Sequence, residues 1–330
     1  MMDFDNTEIA FSGKSNADLT RSYWLFKIIG WNWLIKIGPV LLKIFMPLWF
    51  PIPIIKATIF KQFCGGESIA ECEQKIAELS TLNVKTILDY SVEGKEEETV
   101  FDENLQEALA AIKKANGNPN IPFSVFKPTG FGRFDLLEKV NAKEALSKNE
   151  QAEFERVTNR INTICSAGQK ANLPIFIDAE ETWIQNTIDD IALEMMRKYN
   201  KEKAIVYNTA QMYRWDRIAY LKDLKAIAEK ENFFIGMKLV RGAYIEKERN
   251  RAKKMGYEDP MQKTKENTDK DYNDALKFCI ENIEKVAFCC ASHNEKSNLI
   301  LIKFFQTILI MNCVYSLIIY QKILCHILKI

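Results

Sequence analysis

The sequence predicts an α/β fold with parallel strands, of the (β/α)-barrel type. Three observations carry that prediction. Six short runs rich in β-branched and aromatic residues recur at 84–90, 123–127, 174–178, 204–207, 235–240 and 286–290. Each is followed by a longer, more polar stretch, and several of these stretches space their apolar residues helically, a pattern of crossover helices between parallel strands. Each run also ends in polar groups, where a parallel barrel carries its chemistry.

Taken in chain order, residues 1–83 form an N-terminal helical arm. Residues 21–63 hold six basic side chains (Arg21, Lys27, Lys36, Lys43, Lys56, Lys61) and no acidic one, set among Trp24, Trp31, Trp33 and Trp49. Such a segment suits a membrane surface, where indole rings sit among headgroups and lysines meet anionic lipid. It makes a poor spanning helix, since Lys27, Lys36 and Lys43 interrupt it and Pro47, Pro51 and Pro53 break it. The alternative expectation is an arm packed on the main domain, because globular chains mostly hide such side chains in a core.

Residues 84–302 carry the barrel units. Helical stripes are expected at Leu105, Ala108, Leu109 and Ile112, at Ile188, Ile191, Ala192 and Met195, and at Ile218, Leu221 and Leu224. No GxGxxG or GxxxxGK[ST] follows any strand, so a Rossmann or P-loop site has no support. A complete barrel needs eight units and only six are legible. Residues 303–330 form an aberrant hydrophobic tail. Residues 299–330 contain 23 apolar residues out of 32, nine of them Ile, with no Gly, Ala, Pro, Asp or Glu. That is the composition an AT-rich coding strand yields out of frame; the alternative is a short membrane-spanning segment, since no charge occurs over 304–321.

Composition narrows the function. The 330 residues are 47% hydrophobic and 27% charged, which argues against general disorder, and 45 basic against 44 acidic residues give no field for nucleic acid. The eight Cys contain no C-x-x-C pair and the only His are His293 and His326, so ligands for a zinc finger or ribbon are lacking. At this size the thiols read as reduced and the protein as cytoplasmic, with no signal peptide expected in the first 23 residues. The strand-end groups are Asp89 and Tyr90, Lys127, Asp178, Asn208 and Gln211, Lys238 and Arg241, then Ser292 and His293. Together they describe a mouth able to bind a polar, anionic ligand. With no nucleophile elbow and no glycosidase-like carboxylate pair, spacing alone stops at a barrel enzyme of unspecified substrate.

The strings at these strand ends resemble the proline dehydrogenase family. They are Leu88-Asp-Tyr-Ser-Val-Glu-Gly94, Phe126-Lys-Pro-Thr129, Phe176-Ile-Asp-Ala-Glu-Glu181, Asn208-Thr-Ala-Gln-Met-Tyr213, Lys238-Leu-Val-Arg-Gly-Ala-Tyr244 and Ala291-Ser-His-Asn294, with Phe60-Lys-Gln-Phe-Cys-Gly-Gly-Glu67 ahead of the barrel. The resemblance covers roughly residues 55–300 and implies a distorted (β/α)8 TIM-type barrel holding FAD non-covalently at its mouth, beneath the arm. It implies that Gln211 contacts the flavin ring and that Lys238 sits beside the reactive nitrogen. Arg241, Gly242, Ala243, Ser292 and His293 would line the cofactor, joined by Ala179 and Tyr213. Lys127 and Asp178 would form an ion pair beneath L-proline, and Tyr244 would pack on its ring. The implied reaction is oxidation of proline to Δ1-pyrroline-5-carboxylate, with membrane quinone as electron acceptor and peripheral contact at the inner face of a membrane.

After about residue 302 the resemblance stops. The family continues with two more strands and a helix bearing adjacent arginines that clamp the substrate carboxylate, whereas no Arg follows Arg251 here. The chain is therefore expected to be impaired, the other function class being a non-catalytic, membrane-attached barrel remnant.

Overall fold

The computed structural model describes residues 6–31, 33, 37–38, 51–89 and 96–310. Six parallel strands form one sheet in sequence order: β1 (Ile87–Asp89), β2 (Phe123–Phe126), β3 (Ile175–Ile177), β4 (Val206–Gln211), β5 (Ile235–Val240) and β6 (Val286–Cys290). All six expected runs are strands. β5 and β6 keep their expected bounds, while β4 continues to Gln211.

Helices precede and cross between the strands. Before β1 lie α1 (Thr7–Phe11), α2 (Asn16–Ile29), α3 (Pro51–Ile55), a π-helical turn (Lys56–Phe60), α4 (Lys61–Phe63) and α5 (Ile69–Ser80). The crossovers are α6 (Glu98–Ala115), α7 (Phe134–Asn141) with α8 (Lys148–Lys170), α9 (Thr182–Tyr199), α10 (Arg217–Glu231), and α11 (Ile245–Met255) with α12 (Lys265–Glu281). α13 (Glu295–Ile310) follows β6. Local signals set the boundaries: Ser147 and Glu150 exchange side-chain and backbone bonds as a capping box opening α8.

The period-2 alternation of the strands divides the interior into two packed surfaces. Toward the helices point Phe126, Ile175, Ile177, Val206, Ile235, Met237, Leu239 and Val286, which join the helical stripes in one core. Ala108, Ile112, Ile188, Ile191, Ala192, Met195, Leu221 and Leu224 are all buried there, with Leu105 and Ile218 packed at its margin. Ile87, Phe123, Val125, Phe176, Tyr207 and Cys289 form a second cluster on the opposite face. There the Phe123 and Phe176 rings stack at 4.4 Å, and Tyr207 meets Phe176 edge-on at 5.5 Å. Gly236 lies beneath that ring: a Cβ at this position would stand 2.3 Å from the Val206 carbonyl oxygen, so only glycine lets β4 and β5 meet around Tyr207.

The arm departs from the packed expectation. α2 buries only Leu25, while Tyr23, Trp24, Phe26, Ile28, Trp31 and Trp33 are exposed. Its contacts are instead with the segment at 56–63: Ser22 Oγ donates to Gln62 Oε1 at 2.8 Å and Phe26 meets Phe63 edge-on at 5.9 Å. Lys27 Nζ lies 5.0 Å from the Trp24 ring centroid. Among the described residues of the arm, α5 enters the main core, through Cys72 and Ile76. No helix among the described residues is long and apolar enough to cross a membrane. Tail residues 311–330 and Trp49 lie outside the described residues.

Candidate active site at the carboxyl ends of the strands

Because all six strands are parallel, their carboxyl ends share one edge of the sheet, and most of the sequence-nominated residues gather there. At its centre is a buried ion pair. Lys238, from β5, faces the apolar cluster with its ammonium 5.3 Å from the Phe176 ring centroid and donates to Asp178 Oδ1, just beyond β3. The two side chains are 8% and 10% exposed. Asp178 is further fixed by its own N–H, which donates to the Phe126 carbonyl at 2.9 Å. Lys238 is thus one observed partner of Asp178; the sequence resemblance implies Lys127 as another. Lys127 is half-buried at the end of β2, and its charge acts on Glu180.

Glu180, part of the Phe176–Glu181 string but given no role of its own in the sequence, organises the turn after β3. It is 4% exposed. Its carboxylate accepts from Thr129 N at 3.0 Å and from Thr129 Oγ1 at 2.6 Å. Its N–H donates to Gln185 Oε1 at 2.9 Å, and its carbonyl accepts from Gln211 Nε2 at 2.7 Å. Burial pushes its carboxyl up to about 7, with the Thr129 bonds pulling the other way, Glu181 adding to the rise and Lys127 opposing it. The far end of the same turn repeats this chemistry: Thr182 N and Oγ1 donate to the buried Glu248 carboxylate of α11 at 2.7 and 2.6 Å.

The sign of the Glu180 titration gives an expected result. The folded protein keeps this proton to about pH 7, whereas a free glutamate loses it near 4.5. The folded state binds more protons between these values, so the contribution to stability is complete below about pH 4.5 and lost as pH rises through about 7. Urea unfolding of the Glu180→Gln protein should show a flatter decline of stability over that window than the parent chain. Parallel profiles would assign the titration to another group.

After β5 the chain turns at Arg241, whose guanidinium donates to Asp269 Oδ1 at 2.6 Å, Ser292 Oγ at 2.6 Å and Ser297 Oγ at 3.0 Å, and lies 4.3 Å from the Tyr272 ring centroid. Arg241 therefore ties the ends of β5 and β6 together. Gly242 follows at φ +126°, and a Cβ there would stand 2.6 Å from the Tyr213 ring. Tyr213 N donates to the Arg241 carbonyl at 2.7 Å, which holds the β4 and β5 ends in register. Ala179 is buried, Tyr244 half-buried, and Ala243 and His293 exposed at this edge. Asp89 is buried at the end of β1, while Tyr90 lies outside the described residues.

Asn208 departs from the expected mouth position. Its side chain points toward the helices, where Nδ2 donates to Asp189 Oδ1 and to the Tyr220 hydroxyl, each at 2.8 Å. Asp189 is also held by Arg217 Nη1 at 2.7 Å. This buried network, invisible to spacing, underpins α9 and through Gln185 reaches the Glu180 turn: Gln185 Nε2 donates to Asp189 Oδ1 at 2.8 Å. The Asp178-Ala-Glu-Glu181 string could have suggested Glu180, but two successive carboxylates at a strand end, both buried in the fold, do not tell which one meets Thr129.

A family model for proline dehydrogenase matches residues 72–315. Among curated proteins, carbapenem antibiotics biosynthesis protein CarD of Pectobacterium carotovorum subsp. carotovorum is 30% identical over 235 residues, covering 71% of this chain and 61% of that protein. Proline dehydrogenase 1, mitochondrial, of Dictyostelium discoideum is 30% identical over 344 residues, covering 90% and 60%. The chain thus spans about 60% of the length of these curated relatives. Among solved structures, proline utilization A from Bdellovibrio bacteriovorus, inactivated by N-propargylglycine, matches with a TM-score of 0.70 at 17% identity over 92% of this chain and 33% of that one. At that identity the match speaks for a shared fold.

Proposed function

The chain belongs to the proline dehydrogenase family, and from that premise we propose that it oxidises L-proline to Δ1-pyrroline-5-carboxylate with FAD. The observation that supports this most directly is the buried Lys238–Asp178 pair, set on the sheet face lined by Phe176 and flanked by Gln211 and the Arg241-Gly242 turn.

Two features fit a flavin. Gln211 spends one amide hydrogen on the Glu180 carbonyl, which leaves its oxygen and second N–H for a ligand. Gly242 keeps the turn beside Tyr213 free of a side chain, so backbone can approach a flat group closely. Gln211, Lys238, Arg241, Gly242, Ala243, Ser292 and His293, with Ala179 and Tyr213, would hold the cofactor. When bound, FAD would accept the two electrons released as hydride from the proline ring carbon next to nitrogen.

The protein's own part is orientation and charge. Lys238, paired with Asp178 in an apolar setting, would stabilise negative charge as it develops beside it. Lys127 and Tyr244 would bind the substrate at the same edge. The test is anaerobic addition of L-proline to the FAD-loaded chain. Bleaching of the flavin absorbance supports the reading; failure of the purified chain to take up FAD would sink it.

We further propose that electrons leave to a membrane quinone and that the arm meets the lipid. Exposed Trp24, Trp31 and Trp33 beside Lys27 support this, since buried indoles would not be available to headgroups. The full chain should co-sediment with vesicles containing anionic lipid, and replacing all three tryptophans by alanine should lower the bound fraction several-fold. Equal sedimentation of the two proteins would remove the arm from the contact.

A further inference from the structure

Glu180 stands at a crossing of three βα units. Its carboxylate takes both donors of Thr129, from the turn after β2. Its N–H is received by Gln185 of α9, and its carbonyl receives the Gln211 amide at the end of β4. A carboxylate that accepts an N–H and an O–H from one residue, while its own backbone is bonded in both directions, has almost no rotational freedom left. The turn it sits in is pinned again at Thr182 by Glu248, so residues 178–182 cannot shift as a unit without breaking bonds at both ends.

The geometry assigns Glu180 a positioning role: by gripping Thr129 it fixes the turn whose carbonyl orients the Gln211 amide toward the ligand. The claim rests on the proposed reading of Gln211 as a flavin contact. Without the grip the turn is free to rotate, the Glu180 carbonyl swings with it, and Gln211 loses the bond that selects which amide atom faces the mouth. Glu180 itself need not touch the ligand.

The test is titration of FAD into the full apo chain, followed by quenching of flavin fluorescence, with thermal unfolding of each apo protein measured alongside. Glu180→Ala removes both bonds from Thr129, and Thr129→Val removes the hydroxyl bond while the backbone N–H remains; each should weaken FAD about ten-fold or more. Thr129→Ser keeps both donors and should stay within about three-fold of the parent. Thr129→Val leaves the carboxylate in place, which guards against a Glu180→Ala protein that merely unfolds. The deciding comparison is a cycle with Gln211→Ala. If Glu180 acts through Gln211, adding Glu180→Ala to Gln211→Ala should cost no more than about two-fold further. Additive losses, or variants that melt earlier yet bind FAD as the parent does, would overturn the assignment. A parent chain that binds no FAD would instead overturn the proposed function, and with it this role.

Discussion

Replacing Asp178 by alanine is expected to destabilise the protein by about 3–5 kcal/mol, because it strands the Lys238 ammonium in a largely water-excluded site. The pair is 8% and 10% exposed, and the Phe176 ring and Cys289, the residue in register with Lys238 on β6, lie beside it on that face. An ammonium left there alone must either lose its proton or draw in water, and both routes cost free energy. Removing both charges together behaves differently. Asp178→Leu with Lys238→Met replaces a buried ion pair by apolar groups of similar size, a change that is often close to neutral. The double variant should therefore regain most of the lost stability in urea unfolding while remaining unable to oxidise proline. A single Asp178→Ala variant that unfolds within about 1 kcal/mol of the parent would mean that Lys238 finds water easily. Recovery of activity in the double variant would show that the pair is structural only.

Gly242→Ala should cost about 2–5 kcal/mol, the sum of backbone strain and overpacking. The φ of +126° is one that L side chains rarely adopt, and the new Cβ would stand 2.6 Å from the Tyr213 ring. The two contributions are separable. Trimming the ring with Tyr213→Ala relieves the clash but not the backbone strain, so the two substitutions should be less than additive, with a residual cost from the glycine position alone. Strict additivity would show that the turn moves aside without touching Tyr213. FAD uptake should suffer with stability, since Arg241 and Ala243 flank the strained residue.

Much of this architecture was legible in the residues. Alternation of short β-branched runs with helical stripes depends on local backbone sterics and on which side chains seek burial, so β5 and β6 fall where the pattern places them. Parallel strands then bring Lys127, Asp178, Gln211, Lys238, Arg241, Ser292 and His293 to one edge without further information. Asn208 and Gln211 show where that legibility ends. They sit three residues apart in one strand, yet one bonds Asp189 beneath the helices and the other reaches Glu180 at the mouth.

By itself the sequence determined the order of strands and helices, the edge at which the polar groups emerge and the family they belong to, because each is written in local periodicity or contiguous strings. Tertiary structure alone decided which partners meet. Asp178 and Lys238 are 60 positions apart and Glu180 and Thr129 are 51 apart, so both pairings depend on inter-strand register and on the turns that aim the side chains. Burial likewise belongs to the assembled fold: it raises the Glu180 carboxyl because neighbouring units exclude water, whereas Trp24, Trp31 and Trp33 stay exposed among the described residues.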